Sequence, residues 1–233
     1  MGSCHHAGVT SPLPPPPEPA PPPPSAASTV RRAPGRARYD EAAVHAVLDA
    51  GWIAHVGLAV DGEPVVVPMV YARDGDRLLL HGSVASRLLR GLDAGLPVSV
   101  AVTHVDGLVL ARSAFHHSVN YRSVVVRGRA TRITDPEALA AGFARLVDQV
   151  APGRSALVRA PDRAETRQTA LVEVPLADAA VKARTGGPID DEGDLGWPVW
   201  AGVVPVALVA GAPRPAPDLP AGDLRPPAAV VLP

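Results

Sequence analysis

Apolar residues along this chain repeat with two different periods. Ala43, Val44, Val47 and Leu48 recur at helical spacing ahead of Gly51, which predicts a short amphipathic helix over residues 40–50 with an Asp40 cap. The pattern then becomes strand-like over residues 52–60, 63–72 and 77–80. These runs are rich in β-branched residues and are separated by Asp61-Gly62 and Asp74-Gly75, both hairpin signals. A helix is predicted over 84–94, then strands over 97–104 and 108–113 around a further Asp-Gly pair, and a valine-rich strand over 122–133. Asp135-Pro136-Glu137 opens a helix ending near residue 150, with Leu139, Phe143, Leu146 and Val147 on its inner face, and 169–175 is the last clear strand. About six strands joined by tight turns, with a few helices outside, predict an α+β protein built on a six-stranded antiparallel Greek-key barrel rather than a parallel nucleotide fold.

Composition narrows the folded part. Of 28 prolines, eleven precede residue 35, and no Phe, Trp or Tyr precedes Tyr39. Residues 1–35 are therefore expected to form a disordered or polyproline-like leader, 36–210 a single domain, and 211–233 a loose proline-rich tail. A formal net charge of −1 argues against an electrostatic nucleic-acid binder. The single cysteine, Cys4, excludes an internal disulfide and a cysteine-rich zinc site, and fits a reducing compartment. The leader lacks the apolar stretch of a signal peptide, no segment is apolar enough to span a membrane, and Met1-Gly2 lacks the context for myristoylation. A soluble cytoplasmic protein is expected.

Dinucleotide fingerprints, Walker loops, His-Glu-x-x-His and nucleophile elbows are all missing. Three polar clusters remain. In the first, three leucines lead into His81, Gly82, Ser83, Ser86 and Arg87, a strand, turn and helix start with Ser83 as the expected N-cap. Two hydroxyls, a guanidinium and free backbone N–H groups would suit a phosphate monoester, although the same residues would serve a capped surface helix equally well. The second cluster, Phe115 to Ser123, contains His116, His117, Asn120, Tyr121 and Arg122. Adjacent histidines in a strand face opposite ways and no carboxylate is close in sequence, so no metal site is expected. The third places Lys182 and Arg184 ahead of Trp197 and Trp200, two of the three tryptophans, in a loop-like stretch suited to covering a flat ligand or sealing an interface. His81 reads either as a satisfied barrel histidine or as a proton donor beside a ligand.

Leu80-His81-Gly82-Ser83-x-x-Ser86-Arg87, the segment from Asp106 to Ser113, His116-His117-Ser118-x-Asn120-Tyr121-Arg122-Ser123 and Trp200-Ala201-Gly202 together resemble the pyridoxamine 5'-phosphate oxidase-like, FMN-binding split-barrel family, in particular its nitroimidazole-resistance-protein-like branch. The resemblance covers about residues 39–205. It implies a homodimer with two FMN sites between the subunits. Ser83, Ser86 and Arg87 would take the phosphate, with His81 and Gly82 at the backbone or ring edge and Pro68, Met69 and Val70 along the isoalloxazine. Asn120, Tyr121 and Arg122 would approach from a later strand, and Lys182, Arg184 and Trp200 from the partner subunit. The C-terminal arginine-histidine pattern of true pyridoxamine phosphate oxidases is missing, so a related reductase or oxidase is expected, moving electrons from NAD(P)H to a small organic acceptor, with His81 or His116 supplying a proton. A haem-binding split barrel, with a histidine on the iron, and a deazaflavin-using or non-catalytic binding protein are the alternatives.

Overall fold

The structure, a computed structural model, describes residues 12–220, 222, 224–227 and 230; Cys4 and Met1-Gly2 lie outside them. After a two-residue strand β1 (Ala37–Arg38), the first helix α1 (Glu41–Asp49) forms where the apolar spacing predicts it. Asp40 caps it by accepting the Ala43 N–H at 2.9 Å and is gripped by Arg38 Nε and Nη2 at 2.6 and 2.8 Å. Burial pushes the Asp40 carboxyl up, but these Arg38 and Ala43 hydrogen bonds outweigh it and hold the group below its ordinary 3.8. Ala43, Val44, Val47 and Leu48 all enter the core.

Strands β2 (Ile53–Val60) and β3 (Glu63–Asp74) form a hairpin. Its two-residue turn, Asp61-Gly62, has φ of 54° and 82°, the left-handed pair that strand twist requires. The chain continues through β4 (Arg77–Ser83), α2 (Arg87–Asp93), β5 (Pro97–Leu110), β6 (Ser118–Arg129), β7 (Thr131–Arg132), α3 (Pro136–Val150), α4 (Arg163–Gln168), β8 (Thr169–Pro175), β9 (Ala179–Arg184) and β10 (Gly202–Pro205). The sheet order is β1-β9-β6-β5-β2-β3-β4-β8-β7, with β10 on β5. Every ladder is antiparallel.

The α+β class stands, with ten strands among the described residues. Six long strands make the barrel, in the ring order β5-β2-β3-β4-β8-β6, and β6 packs on β8 without a ladder to close it. The other strands, β1, β7, β9 and β10, lie on its edges and are too short for an apolar run to announce them. Inside lie Val56, Tyr71, Leu78, Leu80, Val100, Val124 and Val172, together with Leu88, Leu89 and Leu92 of α2.

Three local expectations are corrected. Asp106-Gly107 is a bulge within one continuous β5, not a turn between two strands. Arg122 holds the Asp106 carboxylate there, and a Cβ on Gly107 would lie 3.0 Å from Val203 and 3.2 Å from the Val204 carbonyl, so β10 fills the space a side chain would need. The second helix starts at Arg87 with Ser86 as its N-cap, not at 84 with Ser83. Ser83 is still paired with Thr169, and the Val84 N–H still bonds the Gln168 carbonyl at 3.0 Å, which keeps the chain extended. Finally, α3 packs Leu146, Leu139 and Phe143 against Leu79 and Leu171, yet Val147 is 37% exposed. Gln149 is buried instead, donating to the Leu48 and Gly51 carbonyls at 3.2 and 2.7 Å.

From residue 12 the leader lies against the barrel. Leu13 packs on the core, Arg38 donates to the Pro14 and Pro15 carbonyls at 2.7 and 3.3 Å, and Ser25 and Ser28 both bond Asp178. A polyproline segment has no internal hydrogen bonds, so its carbonyls are open to such partners.

Candidate functional site

Strand β3 serves two sheets. Residues 63–70 pair with β2, whereas Tyr71 to Asp74 pair with β4. From His81 onward β4 pairs only with β8, so Pro68, Met69 and Val70 and residues 81–83 border a split with no ladder across it. The walls are close: a Cβ on Gly82 would lie 2.8 Å from Leu89 Cδ2 and 3.8 Å from Met69 Cε, so glycine is the residue that fits.

At the outer end of this split the polar groups have capacity left. Ser83 Oγ accepts the Ala85 N–H at 3.2 Å, leaving its own proton to donate. Ser86 sits at the N-cap without a side-chain capping bond. Arg87 is half exposed, donates one N–H to the Val60 carbonyl at 3.1 Å and lies 3.6 Å from Asp61. At seven residues α2 offers little dipole, so an anion here would be held mainly by these side chains. His81 has a buried Nδ1 without a hydrogen-bond partner among the described residues, and burial lowers its pKa below 6.5, which keeps the ring neutral at pH 7.

The later candidates differ. Arg122 is buried and grips Asp106 through Nε at 3.1 Å and Nη2 at 2.8 Å. Arg184, also buried, donates to Asn120 Oδ1 and to the Gly186 and Gly187 carbonyls at 3.1 and 2.8 Å, while Asn120 Nδ2 adds a bond to Gly186. Burial and the Arg36 charge lower the Arg184 pKa. These groups hold the turn after β9. Tyr121 and Lys182 stand in register with Arg184 and Ser123, and Lys182 makes no ion pair among the described residues. His116 accepts or donates with Ser113 Oγ at 2.8 Å and lies 3.8 Å from Asp191, a loop residue next to Asp190. Asp190 binds the Arg112 N–H and guanidinium at 2.8 Å each, which brings its carboxyl below the ordinary 3.8. Trp200 lies over Gly202, whose Cβ would be 2.8 Å from the ring, yet remains 64% exposed.

In the six-strand ring β3 and β6 are opposite walls. One chain therefore gathers Pro68, Met69, Val70, His81, Gly82, Ser83, Ser86 and Arg87 on one side. It places Asn120, Tyr121, Arg122, Lys182 and Arg184 on the other, with His116 and Trp200 beyond them around the end of the β5–β6 hairpin. A ligand on the outside of a single barrel cannot touch both sets. His55, exposed on β2 in the outward phase of the alternating strand, is a histidine that sequence reasoning did not single out.

The family model described as pyridoxamine 5'-phosphate oxidase matches residues 40–183. Comparison with curated proteins finds no match. Among solved structures, the flavocytochrome Anf3 from Azotobacter vinelandii is 40% identical, covering 87% of this chain and 96% of its own, with a TM-score of 0.80. The FAD and haem binding protein from Mycobacterium smegmatis is 38% identical, covering 82% and 94%, with a TM-score of 0.78. A putative 5-nitroimidazole antibiotic resistance protein from Bacteroides thetaiotaomicron, 19% identical over 61% and 83% with a TM-score of 0.52, shares the fold.

Proposed function

Because this chain belongs to the pyridoxamine 5'-phosphate oxidase family, we propose that it is a flavin-binding redox protein that also carries haem. The observation that carries the flavin is the split between β3 and β4, where Ser83, Ser86 and Arg87 keep hydrogen-bonding capacity beside a strand edge without a ladder. Such a site fits a phosphate at its mouth and a flat ring along Pro68, Met69 and Val70. The two relatives near 40% identity, a flavocytochrome and an FAD and haem binding protein, support a haem as well, and the second favours FAD over the FMN that the sequence resemblance implies.

A bound flavin supplies hydride and one-electron chemistry; the protein supplies position and charge. Ser83, Ser86 and Arg87 hold the phosphate. Lys182, on the opposite wall, reaches the ring only from a second copy, which favours a homodimer in which it faces the partner's cofactor and steadies negative charge on it. His81, neutral at pH 7, and His116 are the proton-handling candidates. The electron donor is a reduced nicotinamide and the acceptor a small organic molecule. Among the described residues no helix is long and apolar enough to cross a membrane, and we place the protein in the cytoplasm.

The test is to release the cofactors from purified protein and separate FAD, FMN and haem by chromatography. Stoichiometric flavin and haem are expected, with flavin bleaching under NADH or NADPH and sedimentation as a dimer. Protein that stays colourless after incubation with all three overturns the reading.

A further inference from the structure

The outer face of β2 and its neighbours is uncovered. Ala54, Val56 and Leu58 enter the core, so the intervening Ile53, His55, Gly57 and Ala59 face away from it. His55 stands mid-strand, in register with Pro68 on β3 and Ala101 on β5. Next along the strand is Gly57, opposite Ser99 on one side and Val66 on the other. Val66 is 66% exposed and Ile53 36%. An imidazole thus rises from a shelf of small residues, Gly57, Ala101 and Ser99, bordered by apolar Ile53, Val66 and Pro68, with exposed Arg127 of β6 in register with Ser99 on its far side.

The His55 side chain makes no hydrogen bond or ion pair among the described residues. Most other described histidines are engaged. His104 bonds the Val47 carbonyl at 2.8 Å, His45 lies between Glu41 and Asp76, and His116 bonds Ser113. His81 has its Nδ1 buried beside the split. His117 alone competes: its Nδ1 bonds the Ser113 carbonyl at 2.9 Å, leaving Nε2 open, but it sits just after the Ala114–His116 turn at the end of the β5–β6 hairpin and not mid-strand.

A porphyrin held through a ring nitrogen lies across the end of the imidazole. When that imidazole projects from a sheet, the macrocycle runs parallel to the sheet, and bulky neighbours would obstruct it. Small residues beneath and apolar residues at the rim are what such a group requires. We propose that His55 is the axial iron ligand of the haem, with the macrocycle lying over the β2–β5 face and bordering the flavin split through Pro68. This rests on the flavin-and-haem reading above.

The test uses the full chain loaded with flavin and titrated with ferric haem, as wild type, His55→Ala and His117→Ala. The readouts are the Soret band, haem per chain and flavin fluorescence. Expected are one haem per wild-type chain, at least a tenfold weaker affinity in His55→Ala with a Soret shift reversed by added imidazole, unchanged flavin occupancy, and a wild-type spectrum in His117→Ala. A wild-type spectrum in His55→Ala, or loss confined to His117→Ala, overturns the assignment while leaving the haem reading intact. So does a His55→Ala protein that keeps its haem but sediments as a monomer, since the face would then be an interface between copies. Wild-type protein that binds flavin but no haem overturns the haem reading itself.

Discussion

The two polar segments that stand out in the sequence are built in opposite ways. Around Ser83, Ser86 and Arg87 the side chains keep free donors at the edge of a split, whereas Asn120, Arg122 and Arg184 are buried and bonded to one another's loops and to Asp106. The first can take a ligand without losing a protein contact. The second is already satisfied, so its cations contribute first to the fold. Similar residue types thus divide into binding groups and bracing groups according to what surrounds them.

The sharpest break of this contrast is Arg122→Ala. Removing one partner of the buried Arg122–Asp106 pair strands a carboxylate and is expected to cost about 3 kcal/mol in urea unfolding, with flavin lost only as the protein unfolds. Arg87→Ala should behave in reverse. Loss of one charge-assisted contact worth roughly 1.5–3 kcal/mol predicts about 10- to 100-fold weaker flavin binding by fluorescence titration, with the urea midpoint unmoved. A reversal of these two outcomes would abolish the distinction. Ser86→Ala is the gentler version, with roughly a three- to tenfold loss of flavin affinity and stability within about 0.5 kcal/mol, because its hydroxyl caps nothing.

Acidity separates the regions further. The pKa of His81 is lowered by burial, so protonation favours the unfolded chain, and its contribution is full above pH 6.5 and declines as pH falls below it. Asp190, depressed by the Arg112 N–H, contributes fully above pH 3.8 and is lost only below that. Stability profiles should therefore show two acid-sensitive windows. His81→Gln should shrink the upper one, which His104, also lowered by burial, shares, and Asp190→Asn the lower, which Asp40 and Asp148 share; windows untouched by either variant would contradict the assignment.

Much of the barrel was legible because its long strands alternate and its helices carry an apolar stripe, as in Ala43 to Leu48. The Asp-Gly signal succeeded at Asp61 and failed at Asp106, since a bulge and a turn ask for the same residues and only Arg122, distant in sequence, decides between them. Strands β9 and β10 were unreadable as a group because pairing with β6 and β5, not an apolar run of their own, makes them strands. In the candidate site the residues of the split could be named from sequence. The bracing roles of Arg122 and Arg184 could not, because a guanidinium looks the same whether its partner is a ligand or a loop carbonyl. Val147 and Gln149 exchanged places for a similar reason: the Leu48 and Gly51 carbonyls give a buried amide its partners, and the spacing of apolar residues along a helix carries no trace of them.

The docked leader bears on the order of events during synthesis. Ser25 and Ser28 meet Asp178 across 153 and 150 residues of chain, so this latch cannot close until nearly the whole barrel has left the ribosome. Until then the segment has no Asp178 to bond, so its docking on the barrel follows the assembly of the barrel itself.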